Sequence, residues 1–214
     1  MHKLATRIAK HAGSWYDNDP ERLNQELAGY LSQAEVTLPD NGKLKAIIGP
    51  HAGFRFSGPT AACAYKNLSL KAAEYERVVL IGPSHKVYLD FLGTTSCQEW
   101  ETPLGNIKVD QETVARLCSD SENAAGGLQI AMIRKEVEEK EHSLEMHLPF
   151  IQKAFKDAGN AESLKLVPLM CGDIPEDKYR GYAELLLPLF MDDKTIFVIS
   201  TDFCHWGQNF QFMH

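Results

Sequence analysis

Three separated stretches of this chain share one design: a short apolar strand that runs without a break into a polar turn carrying a histidine. They are IIGPHAG, which reaches His51; LIGPSHK, which reaches His85; and VISTDFCHW, which holds Asp202 and His205. The middle one, Arg77–Gly82 (RVVLIG), is apolar on both faces, and a strand of that type belongs in the interior of a sheet covered on both sides. Lys43–Gly49, Leu164–Met170 and Thr195–Ser200 read as further strands, with shorter ones between Phe91 and Val109. Helical patterns fall between them. Asp19–Ala34 repeats Leu23, Leu27, Tyr30 and Leu31 at helical spacing behind Pro20, and Pro59–Leu68 is alanine-rich. Asp110–Cys118 starts on a capping aspartate, Ser143–Ala158 is kinked near Pro149, and Pro175–Phe190 completes the set. Alternating strands and helices make this an α/β chain with a mainly parallel sheet flanked by helices on both faces.

With no linker, repeat or low-complexity segment, residues 1–214 read as a single domain, and 44% hydrophobic content suffices for a sizeable core. Ser119–Gly127 reads as an exposed loop and the acidic run Glu136–Glu141 as a solvated face. A net charge of -7 without a dense lysine/arginine cluster argues against nucleic acid as a partner. The longest apolar run, Ala183–Met191, is broken by Glu184 and Pro188, so no membrane insertion is expected. Five scattered cysteines without a CxxC pair speak against a disulfide framework, and the N-terminus lacks a secretory pattern. The expected compartment is the cytoplasm, or the nucleus.

Open α/β sheets bind ligands in the crevice beyond the carboxyl ends of their strands. If the three histidine-bearing strands are parallel neighbours, His51, His85, Asp202 and His205 converge there, the first two separated by about one βαβ unit. Neutral imidazoles suit iron, copper or zinc, and a nearby carboxylate would complete a facial triad. Plainer roles remain open: a hydrogen-bonded structural histidine, Asp202 as a turn cap, His205 as an acid/base group or a surface residue. Cys204 reads as a small buried apolar residue or a soft-metal ligand, and Trp206 as core or pocket wall. A second cluster, Glu141-His142-Ser143-Leu144-Glu145-Met146-His147, lacks the HExxH zinc spacing. There His142 would share a helical face with Glu145 if the helix starts early enough, and it reads as site-facing, or else as part of an ordinary helix start. His2, His11 and His214 have no evident partner, though His11, within HAGSWY, falls where it can pack near the site.

HAGSWY at His11–Tyr16, PHAG at Pro50–Gly53, GPSH at Gly82–His85, EHSLEMHLPF at Glu141–Phe150 and STDFCHWGQ at Ser200–Gln208 together resemble the Memo family, in order and over nearly the whole chain. The resemblance implies a fold like that of class III non-haem extradiol dioxygenases. It places His51 and His85 at the metal-ligand positions, for iron(II) or copper if metal is bound at all. It places His142, Asp202 and His205 around the same cleft in catalytic roles. It also implies a third ligand, a cysteine, in a C-terminal segment, so that this chain is expected to be truncated relative to the family. Phe54 and Phe56 stand where the family has tyrosines, and Lys86 where it often has a second histidine. Three functions follow as expectations. The first is metal-dependent redox or ring-opening chemistry on a small aromatic substrate, with a histidine as acid/base. The second is an adaptor in cell motility signalling that takes a phosphotyrosine-containing peptide or receptor tail, with Lys86 near the anion. The third is an inactive truncated paralogue.

Overall fold

The computed structural model describes residues 5–38, 42–205, 207–208 and 211–213. Trp206, His2 and His214, which entered the sequence reading, lie outside the described residues.

Among the described residues nine strands join one sheet. Its centre is built from the strands the sequence announces: β2 (Ala46–Pro50), β3 (Arg77–Pro83), β8 (Lys165–Cys171) and β9 (Thr195–Thr201). They run parallel in the spatial order β8, β3, β9, β2. Val78, Val79, Leu80, Leu166, Val167, Ile196 and Val198 are fully buried, as a two-sided apolar pattern requires. Beyond β8 the sheet forks. The start of β8 pairs with β6 (Ile107–Val109), which leads on to β5 (Glu99–Trp100) and β1 (Thr6–Arg7). The end of β8 pairs antiparallel with β4 (Leu92–Thr95), which holds β7 (Ile130–Ile133).

Helices lie on both faces. Helix α1 (Pro20–Gln33) packs on α2 (Phe54–Lys71), which packs on β2 and on α5 (Leu148–Asp157). On the other face α6 (Tyr179–Met191) packs on β9 and on α3 (Gln111–Asn123). Asp19 caps α1 through its carboxylate, and Leu23, Leu27 and Leu31 form the buried stripe. Asp110 caps α3 as expected from the sequence.

Several boundaries differ from the sequence reading, each for a visible reason. Helix α2 starts at Phe54 rather than at Pro59, because the Phe54 N–H is satisfied by the Trp15 carbonyl at 2.9 Å and the Phe54 ring is buried. Helix α3 absorbs half of the expected loop at Ser119–Gly127: Ser121 is buried, donates to the Cys118 carbonyl and accepts from the Ile130 N–H. Instead of one kinked helix from Ser143, a 3-10 turn at Glu145–His147 leads into α5, with Pro149 in its first turn, where a missing N–H costs nothing. The acidic run is a solvated face only in part: Glu136 and Lys140 are exposed, but the run overlaps the short helix α4 (Lys135–Glu138), and Glu138 and Glu141 are each 1% exposed. Cys204, read as buried, is exposed, and all five cysteines are free thiols.

Register brings Gly49, Ser200 and Gly82 level at the carboxyl end of the sheet. A side chain at Gly82 would put its Cβ 2.8 Å from the Ser200 Cβ and 2.9 Å from Leu144 Cδ2. A Cβ at Gly49 would lie 3.2 Å from His147 Cε1. Glycine before the proline of each turn therefore clears the space into which the Ser200 and His147 side chains project.

Candidate metal centre

His51, the first residue beyond β2, is 1% exposed. Its Nδ1 lies 2.8 Å from Ser200 Oγ, and Ser200 Oγ lies 2.7 Å from the Ser143 carbonyl oxygen. A carbonyl only accepts, so the serine hydroxyl donates to Ser143 and accepts from His51. This relay assigns the proton of the neutral imidazole to Nδ1 and leaves the Nε2 lone pair bare.

That lone pair meets two other donors. His85 Nε2 is 3.2 Å away, Asp202 Oδ1 is 3.0 Å away, and Asp202 Oδ2 lies 3.3 Å from His85 Nε2. Metal–ligand bonds of about 2.0–2.1 Å put neighbouring donors about 3.0 Å apart in an octahedron and about 3.4 Å apart in a tetrahedron. The three contacts fall in that interval, with one Asp202 oxygen toward each imidazole. The bare His51 Nε2 and the Asp202 carboxylate face each other, an arrangement that a proton or a cation between them would satisfy. His142 gives a second choice of third donor, because ligand atoms of His51, His85 and His142 all lie within 4.8 Å of one another. Its ring stacks on His85 at 5.1 Å and meets His51 edge-on at 5.3 Å.

Burial lowers the pKa of His51, outweighing the attraction of Asp202. Burial also pushes His142 down to about 4 against the pull of Glu141. Both rings are thus neutral near pH 7, and a metal need not displace their protons. Glu141 sits directly behind them. Burial works against its ionisation, but the N–H groups of Ser143 and His85 hold its carboxyl below the usual range. His142 Nδ1 lies 3.3 Å from Glu141 Oε1 without hydrogen-bond geometry.

The shape of this corner depends on a second buried carboxylate. Glu145, 0% exposed, forms an ion pair with Arg7 Nη2 at 2.7 Å and accepts from His11 Nδ1 at 2.9 Å, the His11 N–H at 2.7 Å and Tyr16 at 2.9 Å. Burial opposes its charge, and His11 with Arg7 overcomes that and lowers its pKa. His11 and Trp15 in turn lie against His142, at 6.0 and 4.6 Å between ring centroids.

The structure therefore brings His51, His85, Asp202 and His142 together, with His11 beside them. His205 sits at the rim, exposed, its Nε2 3.9 Å from Asp202 Oδ1, which is beyond hydrogen-bond reach. His142 does not share a helix with Glu145; it lies in the turn before the 3-10 segment. His147 is buried away from the cluster, bonded to the Tyr65 hydroxyl at 2.7 Å, and burial pushes its pKa down to about 3. Phe54 is core, stacked on Tyr16 at 5.3 Å, whereas Phe56 is 68% exposed. Asp202 also borders a cavity of about 410 Å³ walled by Ile81, Cys171, Ile199 and Phe203. Sequence reasoning missed Glu141 and Glu145. The available signal was the placement of two acids inside a stretch that also supplies a site histidine.

Comparison with known proteins identifies the family. The family model described as Memo-like protein matches residues 7–214. Protein MEMO1 of Danio rerio is 36% identical over 213 residues, covering 100% of this chain and 67% of the relative. Protein MEMO1 of Homo sapiens is 34% identical with the same coverage. The Protein memo-1 homolog of Caenorhabditis elegans is 37% identical over 207 residues, covering 97% of this chain but only 55% of its own length. The chain thus spans roughly half to two thirds of the relatives it matches. The histidine-bearing strand ends and the family match describe the same stretch of polypeptide, and the chain belongs to the Memo-like protein family.

Proposed function

We propose that this chain is a metal-binding member of its family, in which His51 and His85 hold a first-row transition ion, iron(II) or copper, for redox chemistry tied to cell motility signalling. The observation that carries the reading is the Ser200 relay, which turns a bare His51 Nε2 toward His85 and Asp202 at 3.0–3.2 Å. Two imidazoles and one carboxylate on one side of an ion are the donor set of non-haem iron sites, and they leave coordination positions free. An ion held there would supply electron transfer or dioxygen activation. The chain's own part is to present unprotonated nitrogens, to add one carboxylate charge, and to exclude water behind His51.

Anaerobic titration of Fe(II) and of Cu(I) into the purified protein, followed by calorimetry and metal analysis, tests this. One ion per chain is expected, and His51→Ala and His85→Ala should each abolish its retention. Equal retention by wild type and both variants defeats the reading.

A peptide-binding role has separate support. The Arg55 guanidinium lies 4.3 Å over Phe56, which is 68% exposed, beside Trp15, which is 36% exposed. Among the described residues Arg55 forms no ion pair, so its charge is free for an anionic aromatic group such as phosphotyrosine. Titration of a phosphotyrosine peptide against wild type and Arg55→Ala should show binding only to the first. Equal binding, or none, removes this reading.

A further inference from the structure

Glu141 spends all of its hydrogen-bonding capacity on two turns. Oε2 accepts the His85 N–H at 2.6 Å and the Lys86 N–H at 3.1 Å, both in the turn after β3. Oε1 accepts the His142 N–H at 2.9 Å and the Ser143 N–H at 3.1 Å, in the turn after α4. The residue is 1% exposed, and among the described residues no lysine or arginine pairs with it. Its charge is compensated chiefly by backbone donors, an arrangement strong only while both turns hold their places. A second link joins the same turns: Ser143 Oγ donates to the Pro83 carbonyl at 2.6 Å.

We propose that Glu141 is a positioning residue that sets the separation and orientation of the His85 and His142 rings by clamping the backbones that carry them. The ring geometry is the claim; its effect on affinity rests on the metal reading above. Glutamine at this position keeps the volume but points an NH2 group at two N–H donors, so one turn must move. Glu138 is the natural comparison. It belongs to the same acidic run and is equally buried, but its carboxylate is held by Thr95 and Cys97 and touches neither turn.

The test compares wild type, Glu141→Gln and Glu138→Gln by two-dimensional NMR of the imidazole nitrogens, then by Co(II) titration. In Glu141→Gln the His85 and His142 ring signals should shift while His147, packed on Tyr65, stays in place. Co(II) affinity should fall about 10–100-fold with an altered visible spectrum, and Glu138→Gln should change neither readout. A folded Glu141→Gln protein with all ring signals at wild-type positions overturns the proposal. If that variant does not fold, hydrogen exchange in the wild type decides: the His85 and His142 amides should exchange orders of magnitude more slowly than Gly126, in an exposed turn, and equal rates overturn it. A wild type that binds no Co(II) refutes the metal reading instead, and the ring signals still judge Glu141.

Discussion

Ser200→Ala removes one oxygen and breaks both bonds of the relay behind His51. Both partners are buried: His51 is 1% and Ser143 is 0% exposed. The Ser143 carbonyl loses its 2.7 Å donor, and an unsatisfied buried acceptor costs about 1–3 kcal/mol. His51 has an escape that Ser143 lacks. Its proton can move to Nε2, where Asp202 Oδ1 waits at 3.0 Å, so the ring itself adds little to the loss. The escape has a consequence, since a protonated Nε2 no longer offers a lone pair to the cleft. The variant should therefore be destabilised by about 1–3 kcal/mol and should bind metal about 10–100-fold more weakly. Urea denaturation reads the first effect. The second is read by calorimetric titration, with imidazole nitrogen shifts reporting the tautomer. A variant of wild-type stability whose His51 still carries its proton on Nδ1 would refute the reasoning.

Two further predictions concern the surrounding buried charges. Arg7→Leu removes the guanidinium that pairs with Glu145 at 2.7 Å and donates to the carbonyls of Glu138 and Glu141, and it should cost about 3–5 kcal/mol. A shift below about 1 kcal/mol in urea denaturation would contradict that account. Acid should destabilise the protein before its carboxylates titrate: with a folded pKa of about 3 against 6.5 unfolded, His147 takes up its proton first in the unfolded chain. Stability is then full above about pH 6.5 and falls toward pH 3, by at most about 1.4 kcal/mol per unit from this residue. Unfolding free energies at pH 7, 6 and 5 should show the slope, and His147→Gln should flatten it; an unchanged slope would exclude His147 as its source.

The central strands were legible because apolar, β-branched runs leave few alternatives, and the convergence of His51, His85 and Asp202 follows from parallel pairing of those runs. His142 lies against His51 and His85, but through a turn rather than through a helix face shared with Glu145, because the helix starts only at Leu148. What stayed hidden was the support. Glu138, Glu141 and Glu145 look like surface acids because their partners are backbone N–H groups, a distant arginine and hydroxyls, none of which leaves a pattern in neighbouring residues. The fork at β8 was equally silent, because short strands such as Leu92–Thr95 are specified by the edge they meet rather than by their own alternation.

The candidate donors come from positions 51, 85, 142 and 202, each in a different turn and far apart along the polypeptide. If an ion binds as proposed, denaturation scatters these four positions, and the native form is the one that gathers them around it. Ligation energy would then appear as resistance to unfolding, growing by at most about 1.4 kcal/mol for each tenfold rise in free ion above the dissociation constant. The midpoint of thermal denaturation becomes a gauge of occupancy.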